Sequence, residues 1–401
     1  MDIKFSDIKK ASDVLSGVIK KTDLIYSDEF SEISGNEVYF KPENLQKTGA
    51  FKIRGAYNKI ANLNSEEKKA GVIASSAGNH AQGVAFAARE YGIDAVIVMP
   101  QNAPISKVTA TEEYGARVVL AGNNYDEAYE RALKIQQESG AVFVHPFNDP
   151  EVIAGQGTIF LEIYEQLKEV DYVLVPVGGG GLISGIALAA RELSPRTNII
   201  GVEFDSAPVM TESLRNGRIY KQTQVNSIAD GIAVKQPGDV TFEVCKECVD
   251  GMLKVSEDEI ANAILTLLEE EKLIVEGAGA TTLAVLMYQK LKVKGKKVVP
   301  LLSGGNIDIN LVSRIINRGL VKADRRIVVE TVIQDRPGRL QKLLKIIADL
   351  DANVVSISHD HNYPDIQIGE TLVSLNLEIR NKEHAERIYE KLQQEEYGII
   401  K

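Results

Sequence analysis

"VDYVLVPVGGGGLISGIALAARELS", residues 170–194, joins a short apolar run, four consecutive glycines and an amphipathic stretch. The apolar run predicts a β-strand buried on both faces, and the amphipathic stretch predicts a helix that begins near Leu182. Apolar runs and amphipathic stretches alternate in the same way from Glu37 to about Ile316. Strands of this kind, connected by helices, form the parallel sheet of an α/β fold. We therefore predict an α/β fold for this part of the chain.

A charged segment, Arg318–Arg326, ends this pattern. The residues that follow predict the order strand, helix, strand, strand, helix, and these strands alternate apolar with polar side chains. Such alternation is typical of an antiparallel sheet with one solvated face. Residues 327–401 are therefore predicted to form a small ferredoxin-like α+β domain, joined to a domain of residues 1–320 by a linker at 321–326.

Composition and charge argue against several classes of function. The chain of 401 residues has a net charge of −10, whereas binding to nucleic acid or to an anionic membrane surface requires a basic face. The two cysteines, Cys245 and Cys248, exclude a disulfide framework and leave a zinc site without enough ligands. No apolar run approaches the ~20 residues of a membrane span, and no signal peptide is recognisable. We expect a cytoplasmic protein with reduced, packed cysteines.

Three glycine-rich turns follow predicted strands and are candidate binding segments, because ligands of an open α/β sheet bind at the carboxyl ends of its strands. The turn at 178–181 would expose backbone N–H groups at a helix start, which favours phosphate or carboxylate. Its spacing fits neither the dinucleotide fingerprint nor a P-loop. The turn at 75–83, SSAGNHAQG, places Asn79 at a helix start, and the turn at 303–308 begins with Ser303. Ordinary helix capping would explain either of these two turns alone.

Lys52 lies in KTGAFKIRGAYNK, residues 47–59, where Thr48 is the predicted helix N-cap. Small residues surround the lysine at helical spacing, namely Gly49, Gly55 and Ala56. A lysine in such a position can bind an anion or form a Schiff base, although most lysines are simply solvated. A lysine, a phosphate cradle, an asparagine and a serine together are what pyridoxal phosphate requires.

These motifs resemble those of a known family. KTGAFKIRGA, SSAGNHAQGVA, VPVGGGGLISG and LLSGGN look like the signatures of the threonine/serine dehydratases, and the resemblance covers about residues 5–320. Those enzymes belong to the tryptophan-synthase-β-like, or fold type II, pyridoxal-phosphate enzymes. The resemblance implies two subdomains with open twisted sheets, the smaller one inserted at about residues 48–150.

The resemblance also implies roles for individual residues. Lys52 would be the Schiff-base lysine, and Asn79 would contact the phenolic oxygen of pyridoxal 5′-phosphate. The rest of the cofactor site would comprise Phe51, the phosphate-binding residues Gly178, Gly179, Gly180, Gly181 and Leu182, and Ser303 facing the pyridine nitrogen. The substrate carboxylate would bind at Ser76, Ala77, Gly78, Asn79 and His80.

The segment VIQDRPGRLQKLLKIIADLDANVVSISHDH, residues 332–361, resembles an ACT domain, a small βαββαβ regulatory module that binds amino acids. By this resemblance the effector would contact Asp335, Gly338, Leu340 and Asn353. His359 and His361 suggest a metal, but they alternate on a predicted strand. We therefore expect polar surface positions there and no metal site.

The reaction that the resemblance implies is a β-elimination. The Lys52 amine would remove the α-proton of L-threonine as a general base, and loss of the β-hydroxyl would lead to 2-oxobutanoate and ammonia. L-Serine would give pyruvate. A neutral Ser303 cannot hold a proton on the pyridine nitrogen as a carboxylate can, which disfavours racemisation and transamination. Feedback control of isoleucine synthesis predicts that isoleucine binds residues 327–401 and inhibits, and the family usually forms homodimers or homotetramers.

A serine racemase of the same fold is the nearest alternative. In that family a second serine follows Ser76, whereas this chain has Ala77. The racemase metal loop would map onto Glu203, Ala207 and Val209, and the last of these lacks the expected carboxylate. Both departures disfavour racemisation as the main activity.

Two further alternatives are another pyridoxal-phosphate enzyme and, from a different class, a non-catalytic protein. A cysteine-synthase-like enzyme would usually show a Thr-Ser-Gly-Asn-Thr loop in place of SSAGNHAQG. A non-catalytic amino-acid sensor would use only residues 327–401, and the presence of Lys52 with all three glycine-rich turns argues against it.

Overall fold

The structure, a computed structural model, describes residues 3–400. The chain divides into two units between Asp308 and Ile309. The linker predicted at 321–326 instead covers the end of the helix Ile309–Lys322, which belongs to the second unit, and the start of the strand that follows it. The charged side chains that suggested a linker lie on the exposed side of this amphipathic helix. Which unit carries which function stays a prediction.

Strands and helices alternate through the first unit. Its strands are β1 Ile25–Ser27, β2 Glu37–Pro42, β3 Val72–Ser75, β4 Ala95–Met99, β5 Arg117–Leu120, β6 Val142–Phe143, β7 Tyr172–Pro176, β8 Asn198–Phe204, β9 Gly251–Val255 and β10 Lys297–Leu302. Its α-helices are α1 Phe5–Leu15, α2 Asp28–Ser34, α3 Lys52–Ala61, α4 Ser65–Ala70, α5 Asn79–Tyr91, α6 Ile105–Glu113, α7 Tyr125–Ser139, α8 Pro150–Gln166, α9 Gly181–Leu193, α10 Val209–Asn216, α11 Asp239–Cys248, α12 Glu257–Thr266 and α13 Gly277–Met287.

The larger sheet has the strand order β1-β2-β10-β7-β8-β9. The pairs from β2 to β9 are parallel, as the sequence pattern predicts, but β1 pairs with β2 in the antiparallel direction. A single short edge strand is compatible with an otherwise parallel α/β sheet. The central strand β7 is almost entirely buried because helices cover both faces, and Val173 and Val175 are fully buried.

The smaller sheet is parallel, with the order β5-β4-β3-β6, and lies entirely within residues 72–143. Helices α3 and α5 pack against each other and against this sheet through an apolar cluster that includes Ile53, Ile60 and Val84. The helix that carries Lys52 therefore belongs to the core of this smaller layer.

The second unit contains the helix α14 Ile309–Lys322, followed by β11 Arg326–Gln334, α15 Arg339–Asp349, β12 Asn353–Asp360, β13 Glu370–Glu378 and α16 Lys382–Gln394. Its sheet is antiparallel in the order β11-β13-β12, and an isolated bridge places Ile399 beside Thr331 of β11. The apolar faces of α15 and α16 cover one side of this sheet. The β-α-β-β-α order agrees with the sequence prediction.

A buried ion network holds α3 in place. Arg54 of this helix is fully buried and lies 2.7 Å from a carboxylate oxygen of Glu43 and 2.6 Å from one of Glu162. Lys41 lies 2.5 Å from Glu162 and is also fully buried. Burial acts to raise the pKa of Glu43, but the charges of Arg54 and Lys41 outweigh it and hold that pKa below its ordinary value. Glu43 is therefore expected to carry a negative charge opposite Arg54.

Both cysteines are free and buried, and burial raises the pKa of the Cys245 thiol to about 12. They are therefore packing side chains, as predicted, rather than reactive thiols. Among residues 3–400, none of the helices has the length and apolar character needed to cross a membrane.

Candidate active site

Lys52 is the first residue of α3, whose N-cap is Phe51 rather than the predicted Thr48. Its Nζ donates a hydrogen bond to the carbonyl of Pro146 at 2.7 Å and lies 5.3 Å from the centre of the Phe51 ring. Burial lowers the pKa of Lys52 to about 8, although the Glu276 carboxylate opposes this shift. About a tenth of this amine is therefore unprotonated at pH 7, far more than for an ordinary lysine, and a base or a nucleophile requires the unprotonated form.

The segment before Lys52 is joined to the turn that follows β10. The backbone N–H of Phe51 donates to the Ser303 carbonyl at 3.1 Å, and the N–H of Gly305 donates to the Gly49 carbonyl at 2.8 Å. Ser303 itself is buried. Two of the predicted binding segments therefore lie side by side, one leading into α3 and the other following β10.

The four glycines at 178–181 follow β7, and α9 begins at Gly181, one residue earlier than predicted. A Cβ atom on Gly179 would overlap the Phe147 ring, and one on Gly178 would lie 2.9 Å from the Cα of Ile232. Gly180 has a φ of +96°, which favours glycine. The turn thus needs glycine for close packing, and it leaves the first N–H groups of α9 without partners inside the helix.

The loop at 145–148 connects this glycine turn to Lys52. Pro146 accepts the hydrogen bond from Lys52, and the adjacent Phe147 packs on Gly179 and Gly181. His145 holds the loop in place, because its Nδ1 accepts hydrogen bonds from the backbone N–H groups of Phe147 and Asn148. Burial lowers the pKa of His145 to about 4, so its ring is neutral and serves as an acceptor.

Asn79 begins α5 and faces Glu276, a residue that the sequence analysis did not single out. The Asn79 Nδ2 lies 2.8 and 2.9 Å from the two carboxylate oxygens of Glu276, and the Asn79 Oδ1 is buried without a partner. Burial raises the pKa of Glu276 to about 7, although the hydrogen bond from Asn79 opposes this shift. The only sequence signal for Glu276 is an acidic residue directly before the small residues that open α13.

The loop Ser76–His80 lies at the N-terminus of α5. The Oγ of Ser76 accepts a hydrogen bond from the N–H of Gly78 at 3.2 Å, and the space beside the Gly78 Cα is open. The His80 ring instead faces away, with its Nε2 2.8 Å from the Val144 carbonyl, and burial lowers its pKa to about 3. In this loop, backbone N–H groups lie at the start of a helix, where an anion is favoured, whereas the His80 ring is engaged with the Val144 carbonyl.

The predicted effector residues are divided between two ends of the second unit. Asp335, Gly338 and Leu340 lie at the turn between β11 and α15. Asn353 lies at the start of β12 and pairs with Glu378, which also pairs with Arg326 at the start of β11. The length of β11, nine residues or about 30 Å, therefore separates Asn353 from the turn. The four residues do not form one site within a single chain.

The first unit thus has the parts that a planar cofactor with an aldehyde and a phosphate needs. These are an amine of lowered pKa, a cradle where added Cβ atoms would clash, and an unpartnered amide oxygen in a buried position. The residues present fit pyridoxal phosphate.

The raised pKa of Glu276 gives a prediction for stability. Its folded-state pKa of about 7 exceeds the ordinary value of 4.5, so the free energy of unfolding should fall as the pH rises through this window. A Glu276→Gln variant lacks this titration. We expect it to gain stability relative to the native chain between pH ~4.5 and 7, by on the order of 3 kcal/mol. Urea unfolding after removal of bound cofactor measures the difference.

The matched control for that measurement is Glu32→Gln on the exposed side of α2, which should show no such pH-dependent gain. A constant stability difference between the native chain and Glu276→Gln from pH 5 to 8 would contradict the raised pKa.

Comparison with known proteins places this geometry in a family. The family model described as "Pyridoxal-phosphate dependent enzyme" matches residues 15–304. An L-threonine ammonia-lyase from Thermotoga maritima is 56% identical over 386 residues, covering 96% of each chain.

Solved structures of related enzymes have the same fold. The processed form of threonine deaminase isoform 2 from Solanum lycopersicum is 40% identical, with a TM-score of 0.74, over 78% of this chain and 91% of that one. Maize serine racemase is 35% identical, with a TM-score of 0.76, over 80% of this chain and 99% of that one. The chain belongs to the fold type II family of pyridoxal-phosphate-dependent enzymes, and pyridoxal 5′-phosphate is its cofactor.

Proposed function

We propose that this enzyme is an L-threonine ammonia-lyase, which converts L-threonine to 2-oxobutanoate and ammonia and L-serine to pyruvate. The observation that carries the proposal is the 56% identity to an L-threonine ammonia-lyase across 96% of both chains. The buried Lys52 amine beside the glycine cradle supports it, because an elimination needs a base next to the cofactor.

Residues of the chain divide the work of binding and proton transfer. The N–H groups of Gly178–Gly181 and Leu182 bind the phosphate, and Phe51, Asn79 and Ser303 surround the ring. Backbone N–H groups of Ser76–His80 bind the substrate carboxylate at the N-terminus of α5. Pyridoxal phosphate, when bound, withdraws electrons from the α-carbon so that its proton can leave. The Lys52 amine then takes that proton as a general base.

Glu276 acts as a positioning residue in this scheme. The Glu276 carboxylate accepts a hydrogen bond from the Asn79 Nδ2, so the Asn79 side chain has a fixed orientation beside the ring. Ser303 favours elimination, because a neutral hydroxyl cannot hold a proton on the ring nitrogen as a carboxylate can. Transamination and racemisation are therefore expected to be minor.

Serine racemase is the second candidate, since maize serine racemase has the same fold at 35% identity. Two observations disfavour it. Ala77 replaces the serine expected as the opposite-face acid or base. Glu203, which would belong to the racemase metal loop, is buried, and its carboxylate accepts hydrogen bonds from the N–H groups of Met210 and Thr211 at 2.8 and 2.9 Å. Both carboxylate oxygens of Glu203 therefore cap the N-terminus of α10, which leaves the carboxylate less available as a metal ligand.

The proposal extends to regulation. The β-α-β-β-α order of the second unit and its DRPG turn support an ACT domain that binds isoleucine. We place the effector at the turn of Asp335, Gly338 and Leu340. Asn353 of the same chain lies too far away to share that site. A cytoplasmic location and a homodimeric or homotetrameric assembly stay predictions.

Steady-state formation of 2-oxo acid from L-threonine and from L-serine tests the activity. We expect deamination of both substrates, with a higher kcat/KM for threonine. A purified protein that is colourless, or that forms no 2-oxo acid from either amino acid, would show that the proposed activity is wrong. Faster conversion of L-serine to D-serine than to pyruvate would favour the racemase.

The same assay with added isoleucine tests the regulation. Isoleucine should inhibit deamination, and valine should oppose this inhibition. Activity that does not respond to branched-chain amino acids over a wide concentration range would contradict the effector assignment while leaving the proposed reaction intact.

A further inference from the structure

Asp335, His359 and His361 come together at one end of the sheet in the second unit. Strands β11 and β12 both run antiparallel to β13, so both end beside its first residues. Asp335 directly follows β11, and its N–H donates to the Gly369 carbonyl at 2.9 Å. His359 is the next-to-last residue of β12 and pairs with Val373, and His361 directly follows that strand. Residues distant in sequence thus meet at the start of β13.

Their side chains face the same side. His359 and His361 are two positions apart along an extended segment, so they share a face, and their ring centres lie 4.6 Å apart. The Nδ1 of His361 lies 3.4 Å from the Oδ2 of Asp335. One ligand atom from each of the three residues lies within 4.8 Å of the other two, and all three residues are exposed.

We propose that these three residues bind a divalent transition metal ion of the zinc class. Tetrahedral zinc has bonds of about 2.0–2.1 Å to imidazole nitrogen and carboxylate oxygen, so its ligand atoms lie about 3.3 Å apart. The Asp335–His361 separation already matches this value. Because the side chains are exposed, small rotations bring the His359 nitrogen to the same distance.

The donor set selects the class of metal. Two imidazoles and one carboxylate suit zinc, nickel or cobalt, whereas calcium and magnesium prefer oxygen ligands only. Water fills the remaining position. The ion would tie the ends of β11 and β12 together directly beside the DRPG turn, and this site is independent of the proposed reaction.

The other histidines cannot substitute for this pair. The Nε2 atoms of His80 and His384 lie 2.8 and 2.7 Å from backbone carbonyls, and both residues are buried. The Nδ1 of His145 accepts hydrogen bonds from two backbone N–H groups. Since the chain has five histidines, all within the described residues, His359 and His361 are its two exposed imidazoles.

Equilibrium dialysis of the full holoenzyme against micromolar zinc tests the proposal. We expect one zinc ion per chain that is lost in both His359→Ala and His361→Ala, each substitution weakening binding by at least about tenfold.

The matched control is Asp360→Asn, which removes a carboxylate between the two histidines on the opposite face of the same strand. It should bind zinc as the native chain does. Three results would each overturn the site: no zinc binding by the native chain, binding by both histidine variants that equals that of the native chain, or loss of binding in Asp360→Asn. Circular dichroism verifies that every variant is folded.

Discussion

Replacement of Lys52 by alanine should lower kcat for threonine deamination by about 10³-fold or more, with the fold retained. The structure gives Lys52 one hydrogen bond, to the Pro146 carbonyl, and burial lowers the pKa of its ammonium to about 8. Loss of this side chain therefore removes little that stabilises the fold, while it removes the proposed base. Steady-state 2-oxo acid formation measures the loss. Reduction with borohydride should attach the cofactor to Lys52 in the native chain and to no residue in the variant.

Lys59→Ala is the matched control, because Lys59 lies on the same helix and forms ion pairs with Asp149 at 3.0 Å and Glu151 at 2.7 Å. It should keep most of the native activity. A Lys52→Ala variant that retained more than about a tenth of the native kcat would assign the base to another group, since general bases contribute about 10²–10⁴-fold.

Replacement of Arg54 by methionine should lower the free energy of unfolding by about 3–5 kcal/mol. The substitution leaves Glu43 without its principal counter-charge in a position with no exposed surface. Removal of one partner from a buried ion pair costs far more than removal of an exposed one. Urea denaturation of the two proteins at pH 7 measures the difference.

Lys21→Met serves as the comparison, because its side chain is 51% exposed and its partner Glu165 is 65% exposed. It should cost less than about 1 kcal/mol. Similar stability losses for Arg54→Met and Lys21→Met would mean that water reaches the Arg54 network.

Local sequence patterns were enough to predict the alternating fold and the glycine turns. An apolar run before GGGG determines both a buried strand and a tight turn, since the relevant residues are neighbours in the chain. Asn79 and Glu276, in contrast, are separated by 197 positions. No periodicity connects such residues, so the carboxylate that orients Asn79 emerged only from the folded chain.

Other differences have equally physical reasons. The last turns of the helix that ends at Lys322 have exposed charged residues, including Arg318. In the sequence, this charged stretch therefore looked like a linker. Asn353 was grouped with the DRPG turn by resemblance, but strand direction places it at the far end of β11. His359 and His361 were assigned to the surface correctly, yet only the pairing of two strands with β13 revealed Asp335 beside them.

The Asn79–Glu276 hydrogen bond joins the two sheets of the first unit, since α5 follows β3 of the smaller sheet and α13 packs on β10 and β7 of the larger one. If the two sheets moved apart, the Glu276 carboxyl would be exposed to water and its pKa would return toward its ordinary value. Near pH 6, opening would therefore release a proton and closing would take one up. Any step that exposed this carboxyl to water would therefore depend on the acidity of the solvent.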